Sequence, residues 1–174
     1  TSNKGGDTAD MSGGLMMYQY YESVLSNTVT ATATIIESGA GEGVAKKGVL
    51  DGLPIRGGEE TQISVEDAQG NSIDLSIDLR VNRVRNGDPS TQKDLYFIDF
   101  ASKEFFINEE SRVIERYEGK ISENVGKIVE DILQSELVEN DTTALDCNFY
   151  GNNKKPFYIC TWLASRAVPD GVGG

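Results

Sequence analysis

Four adjacent acid pairs are the first residues in this sequence that could do chemistry: Glu59-Glu60, Glu66-Asp67, Glu109-Glu110 and Glu130-Asp131. Two carboxylates converging in a cleft can divide the work of general acid and base. Neighbouring residues on a strand or helix point in different directions, however. Each pair falls in a turn, a loop or on a polar helical face, so the expectation is solvated surface. Gly39-Ala40-Gly41-Glu42-Gly43 is glycine-rich like a phosphate cradle. It lacks the Gly-Lys-Ser/Thr ending and no helical pattern follows it. The run Asp67-Ala68-Gln69-Gly70-Asn71 offers too few oxygen ligands for a calcium loop. Phe157, Tyr158 and Trp162 could stack on a ligand, but at helical spacing they read as core. Nothing assembles a nucleophile, a base and an orienting group. The sequence therefore predicts no enzyme, no cofactor and no metal site.

Composition points the same way. The chain has 174 residues and no histidine, which removes imidazole catalysis and histidine metal ligation. Acidic residues number 28 against 16 basic ones, a net charge of −12. Such a chain has no electrostatic footprint for gripping a phosphate backbone. Cys147 and Cys160 read as reduced, mostly buried thiols of a protein made in a cytoplasm. No basic-then-apolar leader pattern opens the chain. No apolar run approaches the roughly 20 residues of a membrane-spanning helix, so no membrane insertion is expected.

Two kinds of element would have to position any site. Residues 1–14 are small, polar and glycine-rich and read as a flexible tail. Residues 28–36 alternate threonine with Val29, Ala31, Ala33 and Ile35, a strand with one buried face. Residues 61–67 repeat the pattern with Ile63 and Val65. Ile73, Leu75, Ile77, Leu79 and Val81 then share one face of a strand over 73–81. Asp74, Ser76, Asp78 and Arg80 share the other. Gln69-Gly70-Asn71 makes 66–72 the bend of an antiparallel hairpin. Leu95–Ala101 is apolar on both faces, which places it centrally in a sheet.

After residue 101 the texture changes to helices. Ser102 is placed to cap a short helical turn, and Ser122 to cap a helix over about 123–137. Val125, Ile128, Val129, Ile132 and Leu133 form the apolar stripe of that helix. Residues 144–150 read as a short strand, and Pro156 as the first turn of a last helix over about 156–167. The fold class is mainly β with helices, an α+β chain.

Three segments in order resemble one family. They are Tyr20-Tyr21-Glu22-Ser23-Val24-Leu25-Ser26 leading into the Thr/Ala strand, Gly52-Leu53-Pro54-Ile55-Arg56-Gly57-Gly58-Glu59, and Lys155-Pro156-Phe157 through Trp162-Leu163-Ala164-Ser165-Arg166-Ala167-Val168-Pro169. Tyr117-Glu118-Gly119-Lys120-Ile121-Ser122 opening a helix fits the same order. From about Leu15 to Val172 the layout resembles the N-terminal portion of the baseplate hub protein of contractile-tailed, T-even-like phages. The resemblance implies an antiparallel tail-tube-like β-barrel over 15–118. Residues 119–174 would be the helical start of a second, incomplete tube-like domain. It implies a homotrimer in the full-length protein, bound to a cell-puncturing spike (tail lysozyme) protein and to tail-tube and baseplate proteins of the virion. DNA would pass through the ring without specific binding. On that reading Asp74 and Asp78 face the channel. A hub of a bacterial contractile injection system, or a carbohydrate- or receptor-binding β module on a virion surface, are the alternatives.

Overall fold

The computed structural model describes residues 10–37, 55, 57–66, 69–73, 78–87, 94–136 and 139–171. The chain divides into two compact units, Thr1–Lys103 and Glu104–Gly174.

The first unit is a curled, half-barrel antiparallel sheet. Its strands are β1 (Leu15–Tyr21), β2 (Thr30–Glu37), β3 (Glu60–Thr61), β4 (Val65–Glu66), β5 (Ser72–Ile73), β6 (Leu79–Asn86) and β7 (Asp94–Ser102). Five of them run in the order β1-β2-β7-β6-β3, while β4 and β5 pair as a separate hairpin. Thus β7, apolar on both sides, is the central strand as its sequence predicts. The 66–72 bend also forms: Val65 pairs with Ile73 and Glu66 with Ser72, and Gly70 takes the positive φ of 85° that the turn requires.

Alternation builds the core. Ala31, Ala33 and Ile35 of β2 meet Ile98 and Phe100 of β7 and Leu79 and Val81 of β6. Each large aliphatic side chain removed from water here stabilises the fold by about 1.5–3 kcal/mol. Strict alternation continued along β6 would drive Arg83 and Arg85 into this layer. The register shifts between Val81 and Arg83 instead, so that Arg83 pairs with Asp99 and Val84 with Ile98. Asn82 is the extra residue of this bulge, and it returns both arginines to the polar face. The described strand starts at Leu79 and runs to Asn86, rather than over 73–81. Residues 74–77 of that expected strand lie outside the described residues, as does the 38–48 loop.

The second unit is built of shorter pieces: α1 (Lys103–Glu110, entered from the first unit), β8 (Arg116–Tyr117), α2 (Ile121–Lys127), β9 (Phe149–Tyr150) and α3 (Pro156–Ala164). β8 and β9 pair antiparallel. Gly151 follows because a Cβ there would lie 2.3 Å from the Val113 carbonyl oxygen. The core joins Val113, Tyr117, Ile121, Ile128, Ile159 and Leu163, with Cys147, Phe149, Cys160 and Trp162 packed against it.

The α2 region corrects the sequence reading. Ser122 is not the cap: the helix starts at Ile121 with Lys120 in the N-cap position. Ser122 is buried, and its Oγ accepts from the Thr143 amide at 3.2 Å while its own amide donates to Thr143 Oγ1 at 3.0 Å. A reciprocal clasp to a distant residue replaces local capping. The helix also stops early. Ile128–Ile132 forms a π turn, and Gln134 takes a positive φ of 54°. The wider turn adds one residue to the helical repeat, which still leaves Ile128 and Leu133 of the stripe buried.

Candidate functional site

The polar face of the sheet is where sequence reasoning placed a site. Asp74 lies outside the described residues. Asp78 is exposed just ahead of β6. Its Oδ2 accepts from Arg80 Nη2 at 3.4 Å, and Arg80 also reaches Glu60 Oε1 at 3.5 Å. The Asp78 carbonyl accepts the Lys103 amide at 2.9 Å. The carboxylate is thus one member of an acid–arginine–acid network.

A second pair lies across β6 and β7. Arg85 donates through Nε and Nη2 to the two oxygens of Asp99, each at 2.8 Å. Thr32 Oγ1 donates to Asp99 Oδ1 at 3.1 Å, tying in β2. The Arg85 hydrogen bond holds the Asp99 carboxyl below its ordinary value, with the Thr32 hydrogen bond and the Arg85 and Arg83 charges adding to it against partial desolvation. The same pair raises the Arg85 guanidinium. Arg85 also lies over the Phe97 ring, 5.2 Å from its centroid. The bulge at Asn82 makes this geometry possible, since it faces Arg85 toward Asp99 rather than the core. Arg80 and Arg85 are thus each paired with carboxylates, while exposed Arg83 contributes only its charge beside Asp99.

The acid pairs do not converge. Glu60, Glu109, Glu110, Glu130 and Asp131 are exposed. Glu59 departs from expectation: it is buried, 7% exposed. Its Oε2 accepts the Gly57 amide at 2.8 Å. Gly57 and Gly58 have φ of 109° and 84°, and Gly58 donates to the Val81 carbonyl at 2.6 Å. Glu59 therefore serves a tight glycine turn at the sheet edge. The Gly57-Gly58 pair was the available signal, because an acid beside a left-handed turn can satisfy its amides. Asp67 lies outside the described residues, and the side chain of Glu66 is not described.

In the second unit, buried polar groups hold helix ends rather than forming a reactive cluster. Asn108 Oδ1 accepts the Phe157 amide at 2.9 Å. It caps α3 from another helix, where Lys155 in the N-cap position makes no side-chain cap bond. Lys155 pairs with Glu109, which lowers the Glu109 carboxyl. Asn124, fully buried, donates to the carbonyls of Gly119 and Cys147. Tyr117 stacks on Phe149 with ring centroids 5.1 Å apart, and Trp162 meets Phe149 edge-on at 5.5 Å, so Trp162 is a core aromatic capped by Arg166 at 4.4 Å. Cys147 and Cys160 are free thiols, and burial pushes Cys160 up to about 11. An open groove of about 860 Å³ borders α2. The Arg116–Glu118 ion pair, Lys127 and Asp131 line it. Among the described residues no group of His, Cys, Asp and Glu is arranged to hold a metal ion, and no helix is long and apolar enough to cross a membrane.

One surface was not legible as a site. β1 is an edge strand whose Leu15, Met16, Met17 and Tyr21 are 46–64% exposed, and Val24 and Leu25 beyond it are 103% and 94% exposed. Its run Leu-Met-Met-Tyr-Gln-Tyr-Tyr has no alternation for a pattern search to find. No family model matches the chain, and no curated protein matches it in sequence.

Proposed function

We propose that this chain is a non-catalytic structural component of a contractile-tail baseplate hub. It would link the tail tube to the cell-puncturing spike and contribute to the wall of the DNA channel. The observation that carries the reading is the curled antiparallel sheet on which Arg80 and Arg85 are each paired with carboxylates. A wall along which DNA slides must offer phosphates no free cationic row, because each phosphate contact adds salt-dependent affinity. The net charge of −12 serves the same end, and the three sequence segments that resemble hub proteins supply the context.

The full-length protein would form a homotrimer holding the spike on one side and tube and baseplate proteins on the other. Electron microscopy of the full-length protein, alone and with its spike, tests this. A three-fold ring that captures the spike supports the hub. A monomer that binds or cleaves a glycan refutes it.

A further inference from the structure

The end of strand β6 carries an inference that does not rest on the hub reading. Asn86-Gly87 is the only Asn-Gly pair in the sequence. Asparagine is a thermolabile residue, and a following glycine makes it more so, because glycine has no Cβ to hinder approach to its amide nitrogen. The Gly87 nitrogen attacks Asn86 Cγ. An N–Cγ bond forms, the Cγ–Nδ2 bond breaks, and ammonia leaves with the proton of the Gly87 amide. Solvent water then opens the succinimide at either carbonyl, giving aspartate or isoaspartate.

The fold both creates this site and closes it. Asn86 is the last residue of β6; it is exposed and pairs with Tyr96 of β7. Extended backbone at Asn86 holds the Gly87 nitrogen away from Cγ, so the ring closes only if residue 86 leaves the strand conformation. The Gly87 amide also donates to the Leu95 carbonyl at 2.7 Å, which engages the proton that must depart. Glycine is required at this point by packing: a Cβ on residue 87 would lie 2.8 Å from Leu95 Cδ2 and 3.0 Å from Leu95 Cβ. The contact that demands glycine therefore sets the labile pair at the end of the ladder, where local opening costs least. Conversion there runs one way. Isoaspartate routes the main chain through Cβ and Cγ and adds one backbone atom between residues 86 and 87. That atom displaces the Gly87 amide from the Leu95 carbonyl, at a contact where Leu95 leaves no slack.

We propose that Asn86 is a deamidation site gated by the Gly87–Leu95 hydrogen bond, and that isoaspartate formed there holds the β6–β7 end open. The test ages the 174-residue chain at mildly alkaline pH, folded and in urea, and follows residue 86 by peptide mapping. The folded chain should convert roughly 10- to 100-fold more slowly than the unfolded one. This suppression should be at least as large as the hydrogen-exchange protection of the Gly87 amide, since both processes need that hydrogen bond broken. Leu95→Ala, checked for an unchanged circular dichroism spectrum, keeps the carbonyl but removes the side chain packed over Gly87. It should speed conversion of the folded chain several-fold and lower Gly87 protection with it. Asn86→Gln should stay intact under the same conditions. After refolding, chains with isoaspartate at position 86 should lack protection at the Gly87 amide, while chains that keep asparagine regain it. No conversion in urea, equal rates in the folded and unfolded chains, a Leu95→Ala variant that changes neither quantity, or full Gly87 protection after isoaspartate formation would overturn the proposal.

Discussion

In the sheet unit the interior is a layer of aliphatic side chains on strands of seven to nine residues. In the second unit the strands are two residues long, and buried polar side chains interleave with an aromatic cluster. The first kind of interior is specified by alternation and fails gradually. The second depends on particular hydrogen bonds between residues far apart in sequence, such as Ser122 with Thr143 and Asn108 with Phe157. A lost partner there leaves a buried polar group without compensation.

The largest effects should come from emptying each core. Ile98→Ala in the sheet and Ile128→Ala beside the π turn, 1% and 0% exposed, should each cost about 2–5 kcal/mol. Hydrogen exchange followed by mass spectrometry should show each loss confined to its own unit. Equal loss of protection in both units would merge them into one cooperative body. Next in size is Asn108→Ala. Removal of the cap should cost about 1 kcal/mol and raise exchange first at the Phe157 amide and those following it in α3. Asn108→Asp should recover most of the loss, because a carboxylate also accepts from the helix amides.

These two experiments probe what the sequence revealed and what it hid. Alternation exposed β2 and the β4–β5 hairpin, because one-sided burial writes a period of two directly into the chain, and a short run apolar on both faces marked the central β7. It missed β1, whose apolar residues lie on both faces of an exposed edge. It also misplaced the start of α2, since Ser122 looks like a cap until Thr143, 21 residues away, claims its hydroxyl. Burial of Glu59 was hidden for a similar reason: its carboxylate serves the amide of a glycine turn. Partnerships over long sequence distances leave no local pattern.

The smallest effect sharpens the electrostatic side of the comparison. The Asp99 carboxyl is held below its ordinary value of 3.8 in the folded chain. Its contribution is therefore complete above the unfolded value and is lost as pH falls through the folded one. The pair is partly exposed, 42% at Arg85 and 25% at Asp99, so Asp99→Asn should cost no more than about 1 kcal/mol near neutral pH. The gap between wild type and variant in urea melts should close as pH falls below 3.8. A gap that persisted there would assign Asp99 a packing role instead.

The central claim is that the chain acts through assembly and not through reactive groups. Cryo-electron microscopy of contractile-tailed particles assembled with the full-length protein tests that proposal most directly. The account predicts the curled sheet in a ring coaxial with the tail tube, directly above the spike. Density for the chain on the outer surface of the particle, with its loops holding a sugar or receptor, would contradict it.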